Sequence, residues 1–310
     1  MSITPEQREA RREHIGSSDV SSLFGLDPFR PAGPLDLYIE KTMEVMDDEH
    51  AKREAMEIGN ELEAPLVAWA GRQVGSPVIT DPERLSKVCT EHPIFASNVD
   101  ALFEYLPKAG VEAKSTSMDA EWGKPGTDEV PDRVLLQCAL HALVHDLDEV
   151  YVPVLIGKFG LKRELYRVPR SEAIIKAIIE KGEAFWHEHV IPRIPPVATE
   201  APSLDTLKRI RRIPATWAES CDISLITEWE ETKKSRLDAE KAEKAAFARV
   251  LASLGDAEGM RLADGREVTY FFQNGAATID RELLSTKYPA IYQEVSRKNQ
   301  FRVCRIRKGQ

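Results

Sequence analysis

In the stretch FASNVDALFEYLPKAGVEAKST, residues 95–116, charged side chains interrupt two short apolar runs. Asp100 stands in the first run, Glu112 and Lys114 in the second, and the turn LPKAG separates them. Alternate residues of a strand share a face. Glu112 and Lys114 are therefore expected on one side, with Val111 and Ala113 packing on the other. Asp100 opposes Val99, Ala101 and Phe103 in the same way. A hairpin through the turn would line all three polar groups along one edge of a cleft. Two carboxylates and an ammonium form the set that metal-dependent phosphodiester hydrolysis uses. Hard oxygen ligands hold Mg²⁺, and the ion polarises the phosphate and lowers the pKa of bound water. The lysine positions the nucleophile or stabilises charge on the phosphate. The same string also fits a half-exposed hairpin whose charges face water, since an acid–x–Lys string is common by chance.

Three further positions bear on that choice. Glu63 falls in a helical pattern whose neighbours one turn away are Gly59, Leu66 and Val67, an apolar flank for a solvated glutamate. It either leans over the sheet into a site or is an ordinary surface acid. Gln137 lies in an apolar helix between Val134, Leu140 and His141, where its amide needs a partner, either the backbone or a site. The stretch HIGSSDVSSLFG places consecutive serines at a helix start. Those serines suit simple N-capping. A helix N-terminus also holds phosphate groups, and Arg11 lies two turns earlier to assist.

The elements that must position these residues follow from periodicity and punctuation. A helical pattern runs from residue 4 to about 24, with Thr4, Pro5 and Gln7 forming a capped start. Further helices are expected at LDLYIEK and over about 48–74, the latter ending on Gly75. Strand candidates follow at PVIT, LSKVCT, IFASNVDALFEYL and GVEAKST. After the loop WGKPGTDEV, Pro131 opens an apolar helix, EVYVPVLIG and LKRELYRVP form a hairpin, and SEAIIKAIIEKGEAFWHEHV is helical. The proline-rich stretch IPRIPPVATEAPS marks a boundary and separates a domain 1–197 from an extension 198–310. That extension holds one charge-laced helix at about 222–254 and a small α+β end, with a hairpin signal at LADGREVTYFF and a final basic strand FRVCRIRKG. The helix lacks a sustained heptad, so a solvated spacer is favoured over a coiled coil.

Composition narrows the class. The 310 residues are 42% hydrophobic and 30% charged, enough for a proper core in a soluble chain. With no apolar run that would span a bilayer and no apolar signal core, a cytoplasmic protein is expected. Cysteines stand alone at 89, 138, 221 and 304, without CxxC spacing, and read as isolated buried thiols. The net charge of −9 is uneven, with 20 Lys+Arg against 16 Asp+Glu in residues 201–310 and 22 against 35 before them. The acidic first part excludes a broad basic face for nucleic acid. DNA would need a local channel, or metal ions that offset the carboxylates.

In order along the chain, RREHIGSSDVSSLFGLDPFRP…LDLYIEK, GNELEAP, SNVDALF, GVEAKST and VPDRVLLQC resemble the YqaJ-like viral recombinase family, relatives of lambda exonuclease, over roughly residues 8–197. The resemblance implies a restriction-endonuclease-like α/β (α+β) fold, a mixed sheet flanked by helices. It implies a 5′→3′ exonuclease on double-stranded DNA ends that leaves 3′ overhangs for a phage single-strand annealing protein. Mg²⁺, as two ions and with Mn²⁺ able to substitute, is the implied cofactor, with Asp100, Glu112, the Ala113 carbonyl and Glu63 as ligands. Lys114 is the implied catalytic lysine. Gln137 matches the family's helix glutamine, and Arg11 and Ser18 match its grip on a 5′-phosphate. Relatives form ring-shaped homotrimers, and a bacterial host cytoplasm with phage or prophage origin is implied. Val99 stands where the family often has Pro, Ala139 replaces a second glutamine, and Val134 replaces a common tyrosine. Those departures touch substrate contacts rather than ligands. Two other readings remain open: a non-catalytic DNA-end adaptor that recruits the annealing protein, and a structure-specific or single-strand nuclease of the same fold.

Overall fold

A computed structural model describes residues 12–44, 54–117, 120–157, 160–214, 216–217, 222–273, 275 and 279–296. Arg11, the expected N-terminal cap, Cys221, Cys304 and the expected final basic strand lie outside the described residues. The chain divides into two compact units, Met1–Ala215 and Thr216–Gln310.

The first unit begins with β1 (Ile15–Gly16) and the one-turn helix α1 (Val20–Leu23), so the helical pattern expected up to residue 24 is broken. Sheet pairing overrides periodicity there. Ile15 pairs in parallel with Phe95 and its N–H donates to the Ile94 carbonyl at 2.6 Å. The Gly16 N–H then turns into the Asp19 carboxylate at 3.0 Å. Helices α2 (Pro34–Thr42) and α3 (Glu54–Val74) follow, and α3 stops where Gly75 takes a φ of 75°. Next come β2 (Val78–Ile79), α4 (Pro82–Leu85), β3 (Ser86–Val88), β4 (Phe95–Asn98), β5 (Ala101–Phe103), β6 (Ala109–Val111) and β7 (Lys114–Thr116). Helix α5 (Asp132–His145) leads to the hairpin of β8 (Glu149–Gly157) and β9 (Leu161–Pro169). Helix α6 (Glu172–Phe185) is capped by Ser171 and continues in wider turns through Val190 before α7 (Leu204–Arg209).

Strand β8 organises the sheet. Strand β9 pairs antiparallel along one of its edges, and β6 and β7 lie in succession, both parallel, along the other. Strand β6 continues outward through antiparallel β5 to β2. Strands β1, β4 and β3 form a separate three-stranded sheet. The apolar run expected as a single strand over IFASNVDALFEYL is thus two strands in two sheets, and they part at Asp100. GVEAKST is also two strands, interrupted at Glu112–Ala113 without a change of register: Val111 faces Tyr151 and Lys114 faces Val154. The Glu112 N–H still donates to Tyr151 O at 3.0 Å. The next ladder donor would be the N–H of residue 153, which is a proline and has none.

Two apolar layers sandwich this sheet. Val150, Val152 and Val154 of β8 pack with Val134, Cys138 and Leu140 of α5 and with Ile175 and Ile178 of α6. On the other face Val67 and Ala70 of α3 pack on Ala101, Phe103, Ala109 and Val111. Cys89 and Cys138 are buried and unpaired. The unit runs past residue 197 because α7 is tied back. Buried Asp36 accepts the Ser203 N–H at 2.6 Å and the Ala32 N–H at 2.9 Å, and Ile210 is in the core.

The second unit holds α8 (Ile223–Leu254), capped by Asp222 and ended at Gly255, the hairpin β10 (Gly259–Arg261) and β11 (Glu267–Thr269), and α9 (Arg281–Lys287) and α10 (Pro289–Val295). Leu254 is the only residue of α8 that is buried. The Asp264–Gly265 turn, with Gly265 at a φ of 88°, closes the hairpin. Among the described residues no helix is long and apolar enough to cross a membrane.

Candidate active site

The interruption at Glu112–Ala113 and the parting of strands at Asp100 face each other. The Asp100 N–H donates to the Val111 carbonyl at 3.0 Å, and its carboxylate accepts the Ala113 N–H at 2.7 Å. Strand alternation sends Glu112 and Lys114 toward α5, and Val111 and Ala113 toward α3. A cleft of about 280 Å³ opens here, lined by Asp100, Glu112, Ala113, Lys114 and Ser115 from the sheet, with Gly59, Asn60, Glu63 and Leu66 from α3. Glu63 is solvent-exposed on α3 and approaches as a rim residue.

Helix α5 supplies the floor. Gln137 and His141 are one turn apart, so both reach the sheet. Gln137 Nε2 donates to Glu112 Oε1 at 2.7 Å, and Lys114 Nζ donates to the same oxygen at 2.6 Å and to Gln137 Oε1 at 2.9 Å. His141 is fully buried, with Nε2 2.9 Å from Glu112 Oε2 and Nδ1 2.6 Å from Ser97 Oγ. Since a carboxylate only accepts, Nε2 carries the proton toward Glu112.

These contacts put the acids in different states. Burial pushes Glu112 upward, but the Lys114 ammonium and the His141 hydrogen bond outweigh it and hold the pKa at about 2. Burial pulls Lys114 downward and the Glu112 charge more than restores it, leaving its pKa raised. Asp100 is raised well above the usual carboxylate range by burial, then by the charges of Glu112 and Glu63. Glu63 is raised by partial burial and by Glu112. Ionising all three carboxylates would put more negative charge in the cleft than Lys114 neutralises, and a cation would relieve that cost.

The donor set fits a hard divalent cation. Among the described residues no group of three or more His, Cys, Asp or Glu side chains is gathered tightly enough to form a closed metal cage. Mg²⁺ does not need one. It keeps several waters and is held by one or two carboxylates together with substrate phosphate. Asp100 and Glu112 supply the carboxylates, and Ala113 lines the same cleft.

The expected residues separate in this structure. Asp100, Glu112, Ala113, Lys114 and Glu63 share the cleft, and Gln137 is bonded to two of them. Ser18 is exposed and is not among the cleft-lining residues, and Arg11 is outside the described residues. Much of the GSSDVSSLFGLDPFRP…YIEK motif builds an ion network instead. Asp19 meets Lys41 at 2.7 Å and Arg30 at 3.1 Å, and Arg30 also meets Asp27 at 3.1 Å and Glu40 at 2.7 Å. Burial opposes the Asp19 charge, but Lys41 and Arg30 hold its pKa at about 2. Ser97 and His141 were not singled out by sequence reasoning. The available signal was a histidine four residues after Gln137 on the same apolar face. The run Ser97–His141–Glu112 also has the membership of an acyl-transfer triad. Ser97 is only 4% exposed, however, and is enclosed in β4, where no substrate carbonyl reaches its Oγ.

No curated protein sequence matches the chain. Among solved structures it is similar to an alkaline exonuclease from Laribacter hongkongensis, at 18% identity and a TM-score of 0.47, covering 60% of this chain and 92% of that one. It is also similar to a phage related exonuclease from Haemophilus somnus 129PT, at 16% identity and a TM-score of 0.36, covering 59% and 80%. A YqaJ-like viral recombinase domain matches residues 7–148, a span that contains Asp100, Glu112, Lys114, Gln137 and His141. Over residues 7–148, somewhat less than half of its length, this chain is similar to the YqaJ-like viral recombinase domain.

Proposed function

We propose that the protein is a Mg²⁺-dependent exonuclease that removes nucleotides 5′→3′ from double-stranded DNA ends and leaves 3′ single strands for recombination. The observation that carries the reading is the cleft in which Asp100, Glu112 and Lys114 converge and where the charges of Glu112 and Glu63 oppose ionisation of Asp100. The recombinase family supports DNA as substrate, and direction rests on the resemblance of the sequence motifs.

Asp100, Glu112, the Ala113 carbonyl and Glu63 would hold the cation. When bound, Mg²⁺ supplies Lewis-acid polarisation of a phosphate and a water of lowered pKa. Lys114 has three donor protons, and Glu112 and Gln137 take two of them. The third is available to a phosphate oxygen or to the attacking water. Gln137 keeps the ammonium aimed by bonding both partners. Leu66 lines the cleft from the α3 side. A 5′-phosphate pocket at Arg11 and Ser18, an annealing-protein partner and a ring-shaped trimer belong to the same reading.

Release of acid-soluble nucleotide from linear duplex DNA tests it. Each strand is labelled separately, ends carry 5′-phosphate or 5′-hydroxyl, and Mg²⁺ is compared with EDTA. Mg²⁺-dependent loss that starts at the phosphorylated 5′ end is expected. Bound ends without release would replace it with a DNA-end adaptor. Release from single strands or internal sites would replace it with a structure-specific nuclease. Lys114→Ala should fold and bind DNA yet lose turnover by about 10²–10³-fold or more.

A further inference from the structure

The hydrogen bonds on Glu112 are unevenly shared between its two oxygens. Each carboxylate oxygen has about two lone-pair sites. Oε1 accepts from Lys114 Nζ and from Gln137 Nε2, which fills it. Oε2 accepts from His141 Nε2 alone. One lone pair of Oε2 therefore stays open, and the His141 bond sets its direction.

His141 is itself held. Its ring is fully buried in α5, and the far nitrogen is 2.6 Å from Ser97 Oγ in β4. Ser97 in turn is placed by the strand and by its carbonyl, which accepts from His145 Nε2 at 3.3 Å. A ring fixed at both nitrogens has no freedom to rotate, and neither has the carboxylate it grips. The Ser97 hydroxyl can donate or accept at Nδ1, so the arrangement does not depend on the charge of the ring.

We infer that His141, braced by Ser97, is a positioning residue that presents Glu112 Oε2 as the cation-binding oxygen, while Lys114 and Gln137 reserve Oε1. This rests on the cation-binding reading of the cleft. A histidine–carboxylate contact behind a metal ligand orients it, and losing such a partner typically weakens metal affinity about 10–100-fold.

The test measures Mn²⁺ binding to the full chain by titration calorimetry, without DNA. The informative pair is His141→Asn and His141→Gln. The shorter amide reaches the place of Nδ1 beside Ser97 but stops short of Glu112, whereas the longer one puts an N–H where Nε2 stands. His141→Asn is expected to bind Mn²⁺ about tenfold or more weakly, and His141→Gln close to wild type. The Mg²⁺ concentration for half-maximal hydrolysis should rise in His141→Asn, with most of kcat recovered at saturating Mg²⁺. A folded His141→Asn with wild-type Mn²⁺ affinity would overturn the inference while leaving the metal site intact. If neither histidine variant folds by circular dichroism, Ser97→Ala decides: several-fold weaker Mn²⁺ binding supports the brace, and unchanged binding overturns it. If wild type and Glu112→Gln alike take up no Mn²⁺, the cation reading of the cleft fails, and this inference with it.

Discussion

Asp100 and Glu112 line one cleft but have different partners, and their contributions to stability differ in sign. Glu112 is paired on both oxygens, so its folded pKa lies below the ordinary value of 4.5, at about 2. Its stabilisation is present above the ordinary value and is lost as pH falls through about 2. Asp100 has one hydrogen bond and two acidic neighbours, and its folded pKa is raised. Its contribution is fully present below the unfolded value and is lost as pH rises through the folded one. In EDTA at neutral pH, Asp100→Asn should therefore raise the melting temperature. Glu112→Ala should lower stability by about 3–5 kcal/mol, because Lys114 and His141 are left without their acceptor. Both substitutions should abolish hydrolysis. Thermal melts from acid pH, below the ordinary Glu112 value, up to mildly alkaline pH check the signs, and equal shifts for the two would refute this electrostatic picture. By the same sign argument, the stabilisation supplied by Mg²⁺ should grow with pH as Asp100 ionises. The roles of Glu112 and Lys114 could be anticipated from strand alternation alone. His141 and Ser97 could not, because what makes them partners of Glu112 is the docking of α5 on β4, a contact between residues 44 positions apart.

Among the elements, the long periodic ones were legible and the broken ones were not. Helices α5, α6 and α8 and the β8–β9 hairpin follow from apolar spacing and from punctuation by Pro131, Ser171 and Gly255. The strand breaks at Asp100 and at Glu112–Ala113 were missed, since the apolar runs continue through them. The second break is set opposite Pro153, whose missing N–H ends the ladder from a different segment of chain. The helix expected through residue 24 failed for a related reason, as Ile15 is claimed by β4. Close packing gives a sharper element-level test. A Cβ on Gly182 of α6 would lie 2.3 Å from Phe95 Cζ, and Phe95 is fully buried. Gly182→Ala gains up to about 1 kcal/mol in helix propensity but forces an overpacked core costing about 1–3 kcal/mol. The net effect is expected to be destabilising, as read by the urea midpoint. An unchanged or higher midpoint would mean that Phe95 moves freely.

At the scale of the molecule, the two units differ in kind. The first has a continuous core on both faces of its sheet, and the second is dominated by a helix with a single buried residue. Proline content pointed to a boundary near residue 197, yet Ser203 and Ile210 belong structurally to the first unit. Such long-range ties have no local sequence signature. Two truncations separate these boundaries. A chain ending at 215 should fold cooperatively and keep Mg²⁺-dependent release from DNA ends. A chain ending at 197 leaves the buried Asp36 without its Ser203 partner and uncovers the apolar surface under Ile210. It should unfold at lower urea, by about 1–3 kcal/mol for the unsatisfied carboxylate alone. Equal midpoints would show that α7 is an ornament of the fold.

The clasp between Asp36 and Ser203 joins residues 167 positions apart. On a translating ribosome, the acceptor is made early and waits for its donor through the synthesis of almost the entire first unit. At roughly 5–20 residues per second, that interval is on the order of ten seconds or more. During it Asp36 lacks its Ser203 partner, so this tie closes only after the residues that line the cleft have been made. A chain terminated before Ser203 is left without this tie.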